Sequence, residues 1–256
     1  MKILVTGSNG FIGTALVKSL IYKGYNVSRL IRPNSLNKIK DVNTIRIKGT
    51  SISEFKLALK SRNFDFVINL ASYGVRKDDD NLDLMIDGNI KFLANLILAL
   101  PNKPKMFINV GSCSEYGIIK NGTFVKESDQ INPNTLYGAA KSASHLVGNA
   151  LAVQKKLKFI SLRLFGVFGE GEDKFRLLPY TVENLKCNLS VGLTSGEQQR
   201  DVLYIDDVVS AFHSTIENYK EFPSYGSYNV CSGVPIKVKD FIEYIALKMH
   251  KSFDLL

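Results

Sequence analysis

The opening thirteen residues constrain this chain more than any other stretch. Lys2–Thr6 (KILVT) is a short apolar run of β character, and it leads directly into Thr6-Gly7-Ser8-Asn9-Gly10-Phe11-Ile12-Gly13. Residues 11–20 then carry Ile12, Leu16 and Leu20 at four-residue steps, the spacing of an amphipathic helix. Each glycine answers a separate need. Gly7 permits a sharp turn at the strand end, Gly10 lets backbone approach a pyrophosphate, and Gly13 lets the helix pack close to the strand. Phosphates would meet the helix N-terminus, where free N–H groups and the dipole favour anions. Strand, glycine turn and helix in this order read as a dinucleotide-binding unit.

The alternation continues. Strands are expected at Asn26–Ile31, at 44–47, at 64–71, at 105–111 and at 158–164, with helices over 87–100 and 137–153. Residues 64–71 (FDFVINLA) form a nearly unbroken apolar run, as expected of a strand buried on both faces. Strands alternating with helices imply right-handed crossovers and an α/β fold with a Rossmann-type, doubly wound parallel sheet. After Gly169 the pattern loosens. Helices are expected at 179–185, 206–216 and Val238–Lys248, with short strands at 201–205 and 227–231. The expected division is a nucleotide-binding domain over 1–166, joined by about 201–232. A smaller interleaved substrate domain would take 167–200 and 233–256.

Composition removes several classes. Hydrophobic residues make up 45% and charged residues 22% of 256, which suits a globular chain and not a disordered one. Cys113, Cys187 and Cys231 stand at no metal-ligand spacing, so no structural zinc and no disulfide framework are expected. No apolar run approaches the ~20 residues of a membrane span, and the N-terminus reads as a strand and turn, not a signal peptide, so a cytoplasmic chain is expected. The 33 Lys and Arg against 24 Asp and Glu give a net charge of +9. These cations are spread along the chain and not clustered into a stripe, so nucleic acid is not expected; an anionic small ligand or simply a Lys-rich solvated surface accounts for them.

An acid at the end of the second strand would hold the ribose 2′-OH of NAD. Residues 27–35 (VSRLIRPNS) contain none. Arg32 stands where the strand should emerge at the adenosine site, and a guanidinium there can pair with a 2′-phosphate. NADP(H) is therefore favoured over NAD(H). The plainer alternative makes Arg29 and Arg32 ordinary surface residues.

Tyr137 and Lys141 are four residues apart at the start of a predicted helix, and so share one face. An ammonium beside the phenol would pull its pKa below the ordinary value near 10. Tyr137 could then exchange a proton with a carbonyl or alcohol oxygen. The fifth strand ends in Gly111-Ser112-Cys113-Ser114-Glu115-Tyr116-Gly117, where Ser112 and Ser114 are both candidates to hydrogen-bond a reacting carbonyl. No nucleophile elbow for a Ser-His-Asp hydrolase is present.

Together these residues resemble the extended short-chain dehydrogenase/reductase family, whose members mostly modify nucleotide-linked sugars. The resemblance covers nearly the whole chain. It takes in the glycine turn, Asn69-Leu70-Ala71-Ser72, Asn89, the stretch from Ser112 to Tyr116-Gly117, Tyr137-x-x-x-Lys141, residues 163–169 (RLFGVFG), residues 200–207 (RDVLYIDD) and Tyr228-Asn229-Val230. It implies a catalytic triad of Ser112, Tyr137 and Lys141. Ser112 is preferred to Ser114 because it precedes Tyr116-Gly117 by the family's usual interval. Gly7, Asn9, Gly10, Phe11, Ile12, Gly13, Leu70, Ala71, Ser72 and Asn89 would line the cofactor with Arg32, Tyr137 and Lys141. Ser112, Ser114 and Arg200 would meet the substrate, with Arg200 on its diphosphate. The competing role for Arg200 is a salt bridge with Asp206 or Asp207.

The departures narrow the reaction. Sugar 4,6-dehydratases of the family carry an Asp-Glu pair where this chain has Cys113 and Ser114. Double epimerase/reductases of the fucose-synthase type have a cysteine at the position of Ser114. Many relatives have an asparagine at Gly166. The chain stops at Leu256, short of the family's usual C-terminal segment, so part of the sugar pocket is expected to be absent or supplied by a partner. Residues 70–75 (LASYGV) and 193–201 (LTSGEQQRD) look most like the reductases that make abequose, paratose or fucose. The expected activity is therefore NADPH-dependent reduction of the 4-keto group of a CDP- or dTDP-linked 4-keto-6-deoxyhexose. A 4-epimerase holding NAD and a non-catalytic dinucleotide-binding subunit are the rivals. The expected partner is a nucleotide-diphosphate sugar, with no nucleic acid, membrane or metal, and a homodimer left open.

Overall fold

The structure, a computed structural model, describes residues 1–33, 35, 39, 42–76, 78–120 and 122–252. Asn34, part of the stretch read for cofactor choice, and residues 253–256 of the expected substrate domain lie outside the described residues.

A seven-stranded parallel sheet forms the body. Its strands are β1 (Lys2–Thr6), β2 (Asn26–Ile31), β3 (Asn43–Arg46), β4 (Phe66–Asn69), β5 (Met106–Ser112), β6 (Phe159–Leu164) and a late strand, Tyr225–Val230. They are ordered with the late strand at one edge, then β6, β5, β4, β1, β2 and β3. The chain thus runs outward from β1 through β2 to β3, then crosses back to β4 on the other side. The reversal between β1 and β4 leaves a crevice at the carboxyl ends of the strands, where ligands of such sheets bind.

Register aligns a polar row at that end. Thr6 pairs with Asn69, and Asn69 with Asn109. Thr6 Oγ1 donates to Asn69 Oδ1 at 2.6 Å, and Asn69 Nδ2 to Asn109 Oδ1 at 3.0 Å. Thr6 Oγ1 also accepts from Ala71 N–H at 3.2 Å, fixing the exit of β4 beside the glycine turn.

Helices cover both faces. On one, α1 (Phe11–Tyr22) packs Leu16, Val17 and Leu20 on the sheet beside a later helix, Ile205–Glu217. On the other lie α2 (Ile52–Leu59), the paired segments α3 (Leu82–Ile86) and α4 (Phe92–Ala99), and α5 (Leu136–Lys155). The helix expected over 87–100 starts earlier, at Leu82, and its middle, Asp87–Lys91, is a π turn. Such turns are rare and concentrate at functional sites. The helix α2 escaped the sequence reading, although Ser51 caps it by accepting from Glu54 N–H.

Beyond β6 come β7 (Gly166–Phe168), α6 (Leu177–Lys186), β8 (Gln199–Arg200), β9 (Val202–Tyr204), α7 (Ile205–Glu217), β10 (the late strand, Tyr225–Val230), β11 (Ile236–Lys237) and α8 (Val238–Lys248). A separate small core of Leu185, Val191, Val238, Ile242, Ile245 and Ala246 joins α6 to α8.

The glycine turn is sterically closed. Gly7 has φ +66°, and a methyl there would stand 2.5 Å from the Leu70 carbonyl carbon. A methyl at Gly13 would stand 2.2 Å from Gly7 O. Gly13→Ala should therefore push α1 off β1 and lower stability by about 1–3 kcal/mol, the range for overpacking. Urea denaturation checks this, and an unchanged midpoint would contradict the seating of α1 described here.

Candidate active site

The turn from β1 to α1 has the features a dinucleotide's phosphates need. Gly10 caps α1 with no side-chain hydrogen bond, and no acid occupies the first helical turn. The N-terminal N–H groups therefore face the crevice without a competing side chain or a repelling charge. The residues present fit a dinucleotide.

The two arginines of β2 have different environments. Arg29 is fully buried, which overturns its reading as a surface residue. Its Nη1 donates to Asn9 Oδ1 at 3.2 Å, and its Nη2 to Ile39 O and Thr44 Oγ1, both at 3.1 Å. Burial, then the charge of Arg46, lowers its pKa from the ordinary value. Asn9 of the glycine turn is thus tied to β2 from below. Arg32 is exposed just past the end of β2 and forms no ion pair among the described residues.

Ser112 ends β5 and caps a 3₁₀ turn, Cys113–Tyr116. Ser112 Oγ accepts from Ser114 N–H at 3.1 Å, while Glu115 Oε1 accepts from Ser112 N–H at 2.9 Å. With a backbone donor on its oxygen, the Ser112 hydroxyl is left to act as a donor, and the Tyr137 phenol and the Cys113 thiol lie within its reach. Ser114 contributes its N–H to that arrangement, and its carbonyl faces the start of α5 beside Gly138. The first turn of α5, capped by Thr135, brings Tyr137 within hydrogen-bonding reach of the Ser112 and Ser72 side chains.

Lys141 lies one helical turn on, 4% exposed, with Nζ donating to Val110 O at 2.8 Å. Its ammonium stands 5.8 Å from the Tyr137 ring centre. This geometry corrects the expected depression of the phenol. Desolvation instead pushes Tyr137 up to about 12, opposed by hydrogen bonding with Ser72 and Ser112. The loop after β4 contributes to that desolvation, since a methyl at Gly74 would lie 3.1 Å from Tyr137 Cδ2. Burial likewise lowers Lys141 to about 8, with Glu115 pulling the other way. Residue spacing placed the pair on one face but carried no information about how dry that face is.

Asn89, expected at the cofactor, is tied into the protein by hydrogen bonds. It lies in the π turn, 2% exposed, and Oδ1 accepts from Ser72 Oγ at 2.8 Å and Tyr73 N–H at 3.3 Å. Its Nδ2 donates to Tyr73 O and Met85 O, both at 2.9 Å. It clasps the loop that carries Ser72 against Tyr137. Leu70 and Ala71 are half-buried, with backbone against Gly7.

Arg200 is exposed and donates to Gln199 O at 2.9 Å. Among the described residues it makes no salt bridge with Asp206 or Asp207. Its charge lies close enough to Cys113 to oppose the upward push of burial on that thiol. It therefore flanks the same turn as Ser112. Asp201 clasps the loop after β10, accepting from Ser232 N–H, Ser232 Oγ and Gly233 N–H at 2.7–2.9 Å.

The loops after β4 and β7 meet where Arg76 Nη2 and Asp173 Oδ2 are 3.0 Å apart. A groove of about 1010 Å³, lined by Phe168, Tyr204, Val234 and Phe241 among others, lies elsewhere and contains none of the triad. No group of three or more His, Cys, Asp or Glu among the described residues is placed to hold a metal, and no helix among them is long and apolar enough to cross a membrane.

The sequence reading missed one buried pair, Glu115 and Arg163, whose side chains are 0% and 4% exposed and 2.9 Å apart. Two signals were available. Ser112-x-x-Glu115 is the spacing of a capping box. Arg163 stands within the apolar strand FISLRL, where a charge requires a partner.

Sheet order, glycine turn and the Ser112–Tyr137–Lys141 cluster define a dinucleotide-dependent enzyme of Rossmann type. The chain belongs to the NAD-dependent epimerase/dehydratase family, which it matches over residues 3–231. It is 31% identical to a CDP-abequose synthase from Salmonella muenchen over 259 residues, 98% of this chain and 82% of that one. It is 27% identical to a dTDP-4-dehydro-6-deoxyglucose reductase from Escherichia coli, over 97% of this chain and 82% of the relative. Among solved structures, a UDP-N-acetylglucosamine 4-epimerase from Methanobrevibacter ruminantium superposes with a TM-score of 0.85 at 25% identity, covering 98% of this chain and 83% of that one.

The phenol of Tyr137 should stay protonated far into alkaline pH, whereas Lys141 should lose its proton around pH 8. In an ultraviolet titration, the tyrosinate signal lost in Tyr137→Phe should come from the part of the parent's curve above pH 11. A Tyr137 transition below pH 10 would restore the depressed phenol.

Proposed function

We propose that this enzyme reduces the 4-keto group of a nucleotide-linked 4-keto-6-deoxyhexose, using NADPH. The observation that carries this reading is the convergence of the Tyr137 phenol and the Ser112 hydroxyl at the crevice. A carbonyl oxygen held between two O–H groups is prepared to become an alcohol. The activities named for the CDP-abequose synthases and for the dTDP-sugar reductase support the substrate class.

Bound NADPH supplies the hydride. Ser112 Oγ–H donates to O4 of the sugar and orients the carbonyl. As C4 accepts hydride, O4 takes the proton of Tyr137 Oη, leaving an alcohol on the sugar and a phenolate that is reprotonated from solvent. Lys141, charged near neutral pH, stabilises that transient phenolate and holds a cofactor ribose hydroxyl. The first turn of α1 binds the cofactor's diphosphate, and Arg200 binds the diphosphate of the sugar nucleotide. Residues 167–200 and those from 233 onward act as the substrate-binding part.

The structural likeness to a 4-epimerase favours one alternative, in which the hydride is returned to the sugar. Such an enzyme would consume no NADPH in net turnover. Incubation with CDP- and dTDP-linked 4-keto-6-deoxyglucose, following absorbance at 340 nm, separates the two. Oxidation of NADPH matched by a 4-hydroxy product supports the reductase. Interconversion of C4 epimers without NADPH loss would replace it.

Two outcomes are expected with the active substrate. Tyr137→Phe should retain NADPH binding and lose turnover by at least about 10²–10⁴-fold, the usual contribution of general acid catalysis. A variant as active as its parent would remove Tyr137 from the proton-donor role. Arg32, exposed at the end of β2, should give NADPH an advantage of about tenfold to a hundredfold over NADH, as one charge-assisted hydrogen bond of roughly 1.5–3 kcal/mol would. Arg32→Asp should reverse the order in fluorescence titrations, and equal affinities in the parent would dismiss the NADP preference.

A further inference from the structure

Glu115 divides its two oxygens between backbone and charge. Oε1 accepts from Ser112 N–H at 2.9 Å, and Oε2 accepts from Arg163 Nε at 2.9 Å. Arg163 Nη1 donates to Tyr116 Oη at 2.9 Å and lies within 3.4 Å of Glu127 O. Its guanidinium also stacks over the Tyr116 ring, 4.9 Å from the centre. Tyr116 Oη donates to Asn229 Oδ1 at 2.8 Å. Asn229 in turn donates from its backbone to Glu127 Oε1 at 2.8 Å, and from Nδ2 to Val125 O at 3.1 Å. An unbroken hydrogen-bonded path thus runs from the backbone of Ser112 to the segment around Val125 and Glu127.

The path occupies space that the backbone has cleared for it. A methyl at Gly111 would stand 2.4 Å from Glu115 Oε1 and 3.2 Å from Arg163 Cγ. A buried ion pair is poor at stabilising a fold, because desolvation of both charges offsets their attraction. Well-packed apolar side chains would serve a purely structural purpose as well. What an apolar pair could not provide is a fixed acceptor for the Ser112 N–H. That contact completes the reciprocal arrangement in which Ser112 Oγ accepts from Ser114 N–H. Without it the turn that carries the serine would lose one of the two contacts that fix it.

We propose that the Glu115–Arg163 pair is a positioning device for Ser112, keeping the hydroxyl proton directed at the substrate oxygen and coupling that alignment to the segment around Val125 and Glu127. The proposal deepens the reductase reading and rests on it for the substrate oxygen. Neither side chain is a catalytic residue, since both are buried beneath the turn.

Two measurements test it, one without substrate. In ¹⁵N-labelled protein, Glu115→Gln should speed amide exchange at Ser112 and Ser114 by about tenfold or more, with exchange in β1 and β4 unchanged. With an active keto-sugar, Glu115→Gln should lower turnover by about tenfold to a hundredfold and leave cofactor affinity unaltered, the scale for weakening one oriented donor. In a Ser112→Ala background the same change should alter turnover less than twofold, because the group it aligns is gone. Equal losses in both backgrounds, or unaltered exchange at Ser112 and Ser114, would overturn the proposal. Should Glu115→Gln fail to fold, Glu115→Asp keeps the charge while withdrawing it from Ser112 N–H, and the same comparisons apply. If the parent reduces no keto-sugar, the reductase reading falls and the exchange measurement alone decides whether the pair positions Ser112.

Discussion

The ammonium of Lys141 occupies a place where an unpaired charge would be costly, and much of the active site is arranged around it. It is almost completely buried against β5, and Val110 O at 2.8 Å is its hydrogen-bond acceptor. A helix can deliver a lysine there only by lying very close to the sheet, and the buried face of α5 is made accordingly of small residues: Gly138, Ala140, Ser142, Ser144, Gly148 and Ala152. That closeness sets Tyr137 beside the turn of Ser112. It also strips water from both titrating groups, raising one and lowering the other. Packing and protonation state therefore have one origin.

The same dryness reconciles two requirements that appear opposed. A tyrosine with a high pKa is a weak acid, yet it is reliably in the acid form, as donation to a carbonyl requires. In the proposed reduction its conjugate base needs a nearby cation only for the moment of transfer, and the Lys141 ammonium stands 5.8 Å from the ring centre. The burial that keeps the lysine near its protonation midpoint also makes its charge strong locally, because little solvent screens it.

Much of this was readable from residue order. The apolar runs that became β1, β2, β4, β5 and β6 are long enough, and punctuated clearly enough, that their alternation with helices fixed the sheet. The glycine turn was legible because Gly10 and Gly13 are demanded by backbone within the first β–α unit and Gly7 by its own positive φ, although Gly7 also faces the exit of β4 at Leu70. The short strands Gln199–Arg200 and Ile236–Lys237 were not, since two residues acquire β geometry only from the partner they meet. Arg29 and Arg163 were misread or overlooked for a related reason. A cation in an apolar strand is interpretable only with its partners, and those lie 10–20 and 36–48 residues away in sequence. Asn89 could be recognised as notable but not understood, because its neighbours depend on the π turn.

That π turn carries a consequence for the architecture of the whole helix. One residue of an α-helix corresponds to a rotation of about 100°, so a wide turn acts as a phase shifter between the segments on either side. Upstream, Met85 faces inward; downstream, Phe92, Leu93, Leu96 and Ile97 fill the core under β4 and β5. With one residue fewer in Asp87–Lys91, a regular helix could satisfy either the clasp on Ser72 and Tyr73 or the apolar stripe of α4, but not both. The extra residue lets a single helix serve two registers, one set by the crevice and one by the core.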